Sequence, residues 1–134
     1  MLAITRSGTT TEVLDVLRPL RGRGVRTTAI VATPGTPVTE LADRTVLLPE
    51  VDERSVVQTR FATSTVALLR ASLGQDLTAA VADARAVLAE DEAQCLAGLA
   101  DAEQVTFVGH GWTVGLAAEA ALKLRESARF WTES

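Results

Sequence analysis

Short apolar segments alternate with segments of helical period along these 134 residues, and this alternation constrains the fold more than any single motif. Met1 to Thr5 (MLAIT) is a strand-like run, broken at Ser7-Gly8. Val13, Leu14, Leu17 and Leu20 then recur on one helix face. Pro19 is expected to kink or shorten that helix, and Gly22 and Gly24 to stop it. Arg26 to Ala32 (RTTAIVA) is β-branched and apolar, as in a buried strand. Pro34, Gly35 and Pro37 mark a loop, Val38 to Asp43 one helical turn, and Thr45 to Leu48 a third strand. After an acidic loop, Glu50 to Glu53, helices are predicted over 58–71 and from Asp76 to about Leu99. Residues 104–108 read as a fourth strand, Gly109-His110-Gly111 as a turn, and 113–131 as an Ala-rich helix. Such alternation predicts an α/β fold: a parallel sheet with helices on both faces and ligands outside the carboxyl ends of its strands.

Composition narrows the class. A hydrophobic share of 47% supplies a core and excludes a disordered tail. A net charge of -4 repels phosphate backbones, and 4% aromatics leave little to stack on bases, so no nucleic-acid partner is expected. One cysteine, Cys95, and one histidine, His110, exclude a disulfide framework and a Cys- or His-rich metal centre. No apolar run approaches the roughly 18 residues of a membrane span, and the start lacks the pattern of a secretory signal. A cytoplasmic protein without a membrane partner is expected.

Four constellations could carry chemistry. Thr5-Arg6-Ser7-Gly8-Thr9-Thr10-Thr11 gathers hydroxyls and backbone N–H groups at a helix N-terminus, a natural anion site; alternatively Thr9 or Thr10 simply caps the helix. Glu53 to Arg60 is a polar loop entering a helix, which reads equally as an ordinary cap region. Gly109, Gly111 and Gly115 loosely resemble a dinucleotide fingerprint, but the G-x-G-x-x-G spacing is off by one. No second strand is expected before Ser134 to supply the acidic residue of that motif. Glu119, Lys123 and Glu126 lie along one helix face. They form either a surface ion-pair ladder or a proton-transfer group beside a ligand. Lys123 is the only lysine among 13 basic residues.

The segment ITRSGTTTEVLDVL resembles the S-x-S-G-x-T strand–loop–helix of the SIS (sugar isomerase) family. ERSVVQTRFAT resembles the loop and helix after the third strand of that module. GHGWTVGLAAEAALKLRE resembles the opening of a second module, with its A-x-E-x-A-L-K-L-K-E helix. The look is nearest the tagatose/galactosamine-6-phosphate isomerase or deaminase type, and similar to the isomerase half of glucosamine-6-phosphate synthase. The resemblance implies a three-layer αβα, Rossmann-like (flavodoxin-like) sheet. Residues 1–74 would be the C-terminal portion of one module, 75–103 an acidic connecting helix, and 104–134 the first strand–helix unit of the next. It places Thr5, Arg6, Ser7 and Thr10 on a phosphate-cradling loop and Gln58 and Thr59 on a loop lining the sugar. Glu126 falls on the base that moves a proton between C1 and C2, Lys123 on an assisting lysine, and Glu119 on a structural Glu.

The implied ligand is a phosphorylated sugar or amino sugar, with no cofactor and no metal, bound by a homodimer. Relatives have a strand and helix before the position of Met1 and a ring-opening His beyond Ser134, which His110 does not match. The module is therefore expected to be incomplete, and turnover by this chain alone is not expected. A non-catalytic sugar-phosphate sensor is the alternative reading, and a dinucleotide-binding fragment a third.

Overall fold

The computed structural model describes residues 1–99 and 101–134. Residue 100, within the expected 75–103 connecting segment, lies outside the described residues. The chain divides into two compact units, Met1–Gln75 and Asp76–Ser134.

The first unit is built on three short parallel strands, β1 (Leu2–Thr5), β2 (Thr28–Val31) and β3 (Arg44–Leu47), in the order β1-β2-β3. Ile4 pairs in register with Ile30, and Ile30 with Val46. Side chains alternate across a pleated strand, so the central strand β2 feeds two cores. Ala29 and Val31 pack with Ala3 and with Leu14 and Leu17 of α1 (Thr11–Leu20) and Val38 of α2 (Pro37–Leu41). Ile30 and Ala32 pack on the opposite side with Phe61 of α3 (Arg60–Ser72), flanked by Val46, Leu68 and Leu69. The unit is thus three layers, helices on either side of a parallel sheet. Leu17, Ile30, Val31 and Val38 are its largest fully buried side chains. Each contributes about 1.5–3 kcal/mol relative to exposure.

Local sequence explains the element ends. Pro19 stands in the last turn of α1, which ends one residue later, and Gly22 and Gly24 turn the chain at φ +82° and +73°. Pro37 opens α2 at a position where its missing N–H costs nothing. The helix predicted from Gln58 starts two residues later, at Arg60, because the preceding backbone is held by Glu53.

The second unit departs further from expectation. The single helix predicted from Asp76 to Leu99 is two, α4 (Thr78–Leu88) and α5 (Glu92–Leu96). Asp91 accepts from the Ala93 N–H at 3.0 Å and starts α5 as a fresh N-cap. The strand predicted over 104–108 is only β4 (Val105–Thr106), and the helix predicted to Trp131 is α6 (Val114–Ala128). Arg129 ends α6 in the left-handed region at φ 52°. A further strand then follows where none was expected: β5 (Thr132–Glu133) pairs in parallel with β4 in a separate two-stranded sheet. Thr132 is buried, donating to the Ala121 carbonyl at 2.8 Å, while Arg125 donates to the Thr132 carbonyl at 2.8 Å. These bonds turn the chain back along α6, and an isolated apolar period cannot reveal them.

Candidate functional site

The loop after β1 is shaped by Gly8. Its φ is +66°, and a Cβ there would lie 2.0 Å from Thr36 Oγ1 and 3.1 Å from Val31 Cγ1. Only glycine lets the loop pass so close to β2 and the start of α2. The backbone is stitched down on both sides of it. The Arg6 carbonyl accepts from Ala32 N–H at 3.0 Å, and the Gly8 carbonyl from Val38 N–H at 3.1 Å.

This rigid loop delivers hydroxyls to the start of α1. Thr5 is buried, and its Oγ1 lies 2.9 Å from Thr10 Oγ1. Ser7 Oγ lies 2.9 Å from Thr9 Oγ1 and accepts from the Thr9 N–H at 3.3 Å. Thr10 occupies the N-cap position yet makes no side-chain cap bond. Simple capping therefore does not account for Thr10. The first turn of α1 keeps its partial positive charge and has no side-chain acceptor from its N-cap residue.

Thr5, Arg6, Ser7 and Thr10 line one end of a cavity of about 400 Å³. Gln58, in the loop before α3, and Phe61, Thr65 and Leu69 of α3 form its wall. The loop after β1 and the loop before α3 thus meet in one concave site at the carboxyl end of the sheet. Thr59 stands apart from that lining. Its N–H and hydroxyl both donate to the Glu53 carboxylate, at 3.0 and 3.1 Å.

Glu53, the first residue of the polar Glu53–Arg60 segment, does not line the cavity but holds the backbone beside it. It is buried, and its carboxylate also accepts the N–H groups of Arg60 at 2.8 Å and Phe61 at 3.0 Å. Hydrogen bonds from Phe61, Arg60 and Thr59 outweigh desolvation and hold its pKa down at about 2. The only sequence signal was an acidic residue a few positions ahead of a helix. Arg6 donates to the Glu53 carbonyl and pairs with Asp52 Oδ1 at 3.1 Å. Its Nε is buried without a partner.

Glu126 and Lys123 lie in the second unit, on α6. Lys123 Nζ donates to Glu126 Oε2 at 2.6 Å and stands 3.6 Å from Glu119 Oε1. The Glu126 hydrogen bond raises the Lys123 pKa, so the ammonium stays charged.

The turn at Gly109 is also real: a Cβ there would lie 2.4 Å from the Thr113 carbonyl oxygen. With β5 present, Glu133 does stand at the end of a second parallel strand. The dinucleotide pattern still fails on packing. Its third glycine serves close helix–strand contact, whereas a Cβ on Gly115 would meet nothing within 4 Å. Among the described residues no group of three or more His, Cys, Asp or Glu could hold a metal ion, and no helix is long and apolar enough to cross a membrane.

No family model matches the chain, and no curated protein matches it in sequence. Solved structures do match it in fold. One is the C-terminal domain of glucosamine-fructose-6-phosphate aminotransferase from Francisella tularensis, at a TM-score of 0.65 and 22% identity. The match covers 98% of this chain and 43% of that one, so the chain spans less than half of that structure's length. The fold is therefore α/β of the SIS type.

Proposed function

We propose that this chain binds a sugar phosphate, or an amino-sugar phosphate, in the cavity between the loop after β1 and helix α3. The observation that carries this is the Thr10 hydroxyl, which sits at a helix N-terminus but leaves the helix uncapped and turns to Thr5 at 2.9 Å. Hydroxyls, backbone N–H groups and the positive end of α1 are what a phosphate dianion needs. The apolar and amide wall of Phe61 and Gln58 suits a sugar. The fold shared with the aminotransferase domain supports the same reading.

The lineage is that of aldose–ketose isomerases and amino-sugar-phosphate deaminases. In that chemistry Glu126 is the base that carries a proton between C1 and C2 of the open sugar through an enediol or enolamine. Lys123, hydrogen-bonded to that carboxylate at 2.6 Å, assists at the neighbouring hydroxyl or amine. In the isomerase case a proton leaves one carbon and returns to the other while a hydroxyl proton passes between the two oxygens, with no net redox change; in the deaminase case water also adds at C2 and ammonia leaves. The protein acts as a homodimer in this scheme.

Titration with fructose 6-phosphate and glucosamine 6-phosphate, followed by NMR, tests the binding. Saturable shifts at Ser7 and Thr10 are expected, lost in the Ser7→Ala/Thr10→Val variant. Binding of NAD(H) with no response to either sugar phosphate would overturn the reading. Wash-in of deuterium at C2, lost in Glu126→Gln, separates an enzyme from a sensor.

A further inference from the structure

Among the described residues Glu53 is the only buried charged side chain. Burying a carboxylate is costly unless it is fully hydrogen-bonded, and here four donors from Thr59, Arg60 and Phe61 satisfy it. A Ser, Thr or Asp at the N-cap itself would close the helix with less desolvation. Reaching back from six residues upstream does something more: it ties off residues 54–58 as a loop and fixes the backbone directly after Gln58. The other end of the same residue is held too. The Glu53 carbonyl accepts from the Arg6 guanidinium, which also pairs with Asp52, and Arg60 donates to the Asp52 carbonyl at 2.6 Å. One residue thus joins the start of α3 to the loop that follows β1.

We propose that Glu53 is a positioning residue that holds Gln58 and the first turn of α3 against the loop carrying Ser7 and Thr10, so that the sugar part of a bound sugar phosphate meets a preformed wall. This rests on the sugar-phosphate reading above. Inorganic phosphate needs only the end of the cavity formed by the loop and α1. A sugar phosphate needs both sides, so only the larger ligand registers a displaced wall.

The test compares glucosamine 6-phosphate with inorganic phosphate on the full chain and on Glu53→Gln. The amide presents N–H donors to backbone donors and cannot reproduce the carboxylate's bonds. Affinity for the sugar phosphate is expected to fall roughly ten- to a hundredfold, as for other residues that orient a site from behind, while affinity for inorganic phosphate stays unchanged. Hydrogen exchange of the Thr59, Arg60 and Phe61 amides is expected to speed up in the same variant. Where Glu53→Gln leaves too little folded protein, Glu53→Asp serves the same comparison, with a partial loss expected. Equal weakening of both ligands, no weakening of either, or unchanged amide exchange would overturn the assignment. Absence of sugar-phosphate binding by the natural chain overturns the functional reading itself, and this assignment with it.

Discussion

Thr5 and Thr10 bring their hydroxyls to 2.9 Å across the loop between β1 and α1, so the residue placed to cap the helix is turned away from it. Thr5 is buried at the carboxyl end of an edge strand, and Thr10 is exposed at the start of α1. The pair fixes one rim of the cavity without filling the helix N-terminus behind it.

Replacing Thr10 by Val separates these roles. The fold loses one hydrogen bond and leaves a buried Thr5 hydroxyl unpartnered, a cost of about 1–3 kcal/mol. A phosphate loses a charge-assisted hydrogen bond, about 1.5–3 kcal/mol or roughly ten- to a hundredfold in Kd. Urea unfolding and phosphate titration of the same sample check both. A lowered stability with unaltered phosphate affinity would reduce Thr10 to a structural residue.

Gly8→Ala is expected to be among the most damaging single changes in the first unit. The new Cβ would demand a left-handed conformation and collide with Thr36. Backbone strain of about 1–3 kcal/mol and overpacking of about 1–3 kcal/mol add to a loss of several kcal/mol. Denaturant unfolding measures it. Gly22→Ala has no such neighbour within 4 Å and should cost only the backbone strain.

Acid should unlock the start of α3. The Glu53 pKa falls from 4.5 to about 2 on folding. Between those values the unfolded chain binds the proton more readily than the folded one. The contribution of Glu53 is therefore complete above pH 4.5, declines as pH falls, and is gone below about 2. Asp43 and Asp76 are lowered as well and add their own acid dependence. The difference in unfolding free energy between the natural chain and Glu53→Gln isolates the Glu53 part. It should shrink as pH falls across this window, and a constant difference would contradict the assignment.

Lys123 behaves with the opposite sign. Its hydrogen bond to Glu126, reinforced by the charges of Glu126 and Glu119, raises its pKa above 10.5. The stabilisation is complete below the unfolded value and is lost as pH rises through the folded one. At neutral pH the pair is intact, and its exposure keeps it modest, of the order of 0.3–0.5 kcal/mol for helix pairs of this kind. NMR titration of the Lys123 side chain should show the pKa moving back toward 10.5 in Glu126→Gln.

Most of the first unit is legible in its local sequence. Three short apolar runs, one helix face carrying Leu14 and Leu17, and turns at Pro37 and Gly8 all act over a few residues, and local propensity and period are enough to specify them. The same holds for Lys123 and Glu126, which helical spacing alone puts on one face. The remainder depends on contacts between distant segments. Only folding brings Gln58 to the cavity wall opposite Ser7 and Thr10 while committing the adjacent Thr59 to Glu53. Glu53 is a surface acid in the sequence and a buried cap in the fold, because its four donors converge on it only once α3 forms. The break at Asp91 and the strand at Thr132–Glu133 were equally hidden. Two-residue strands carry almost no period, and their pairing is set by contacts more than twenty residues apart, which no local pattern encodes.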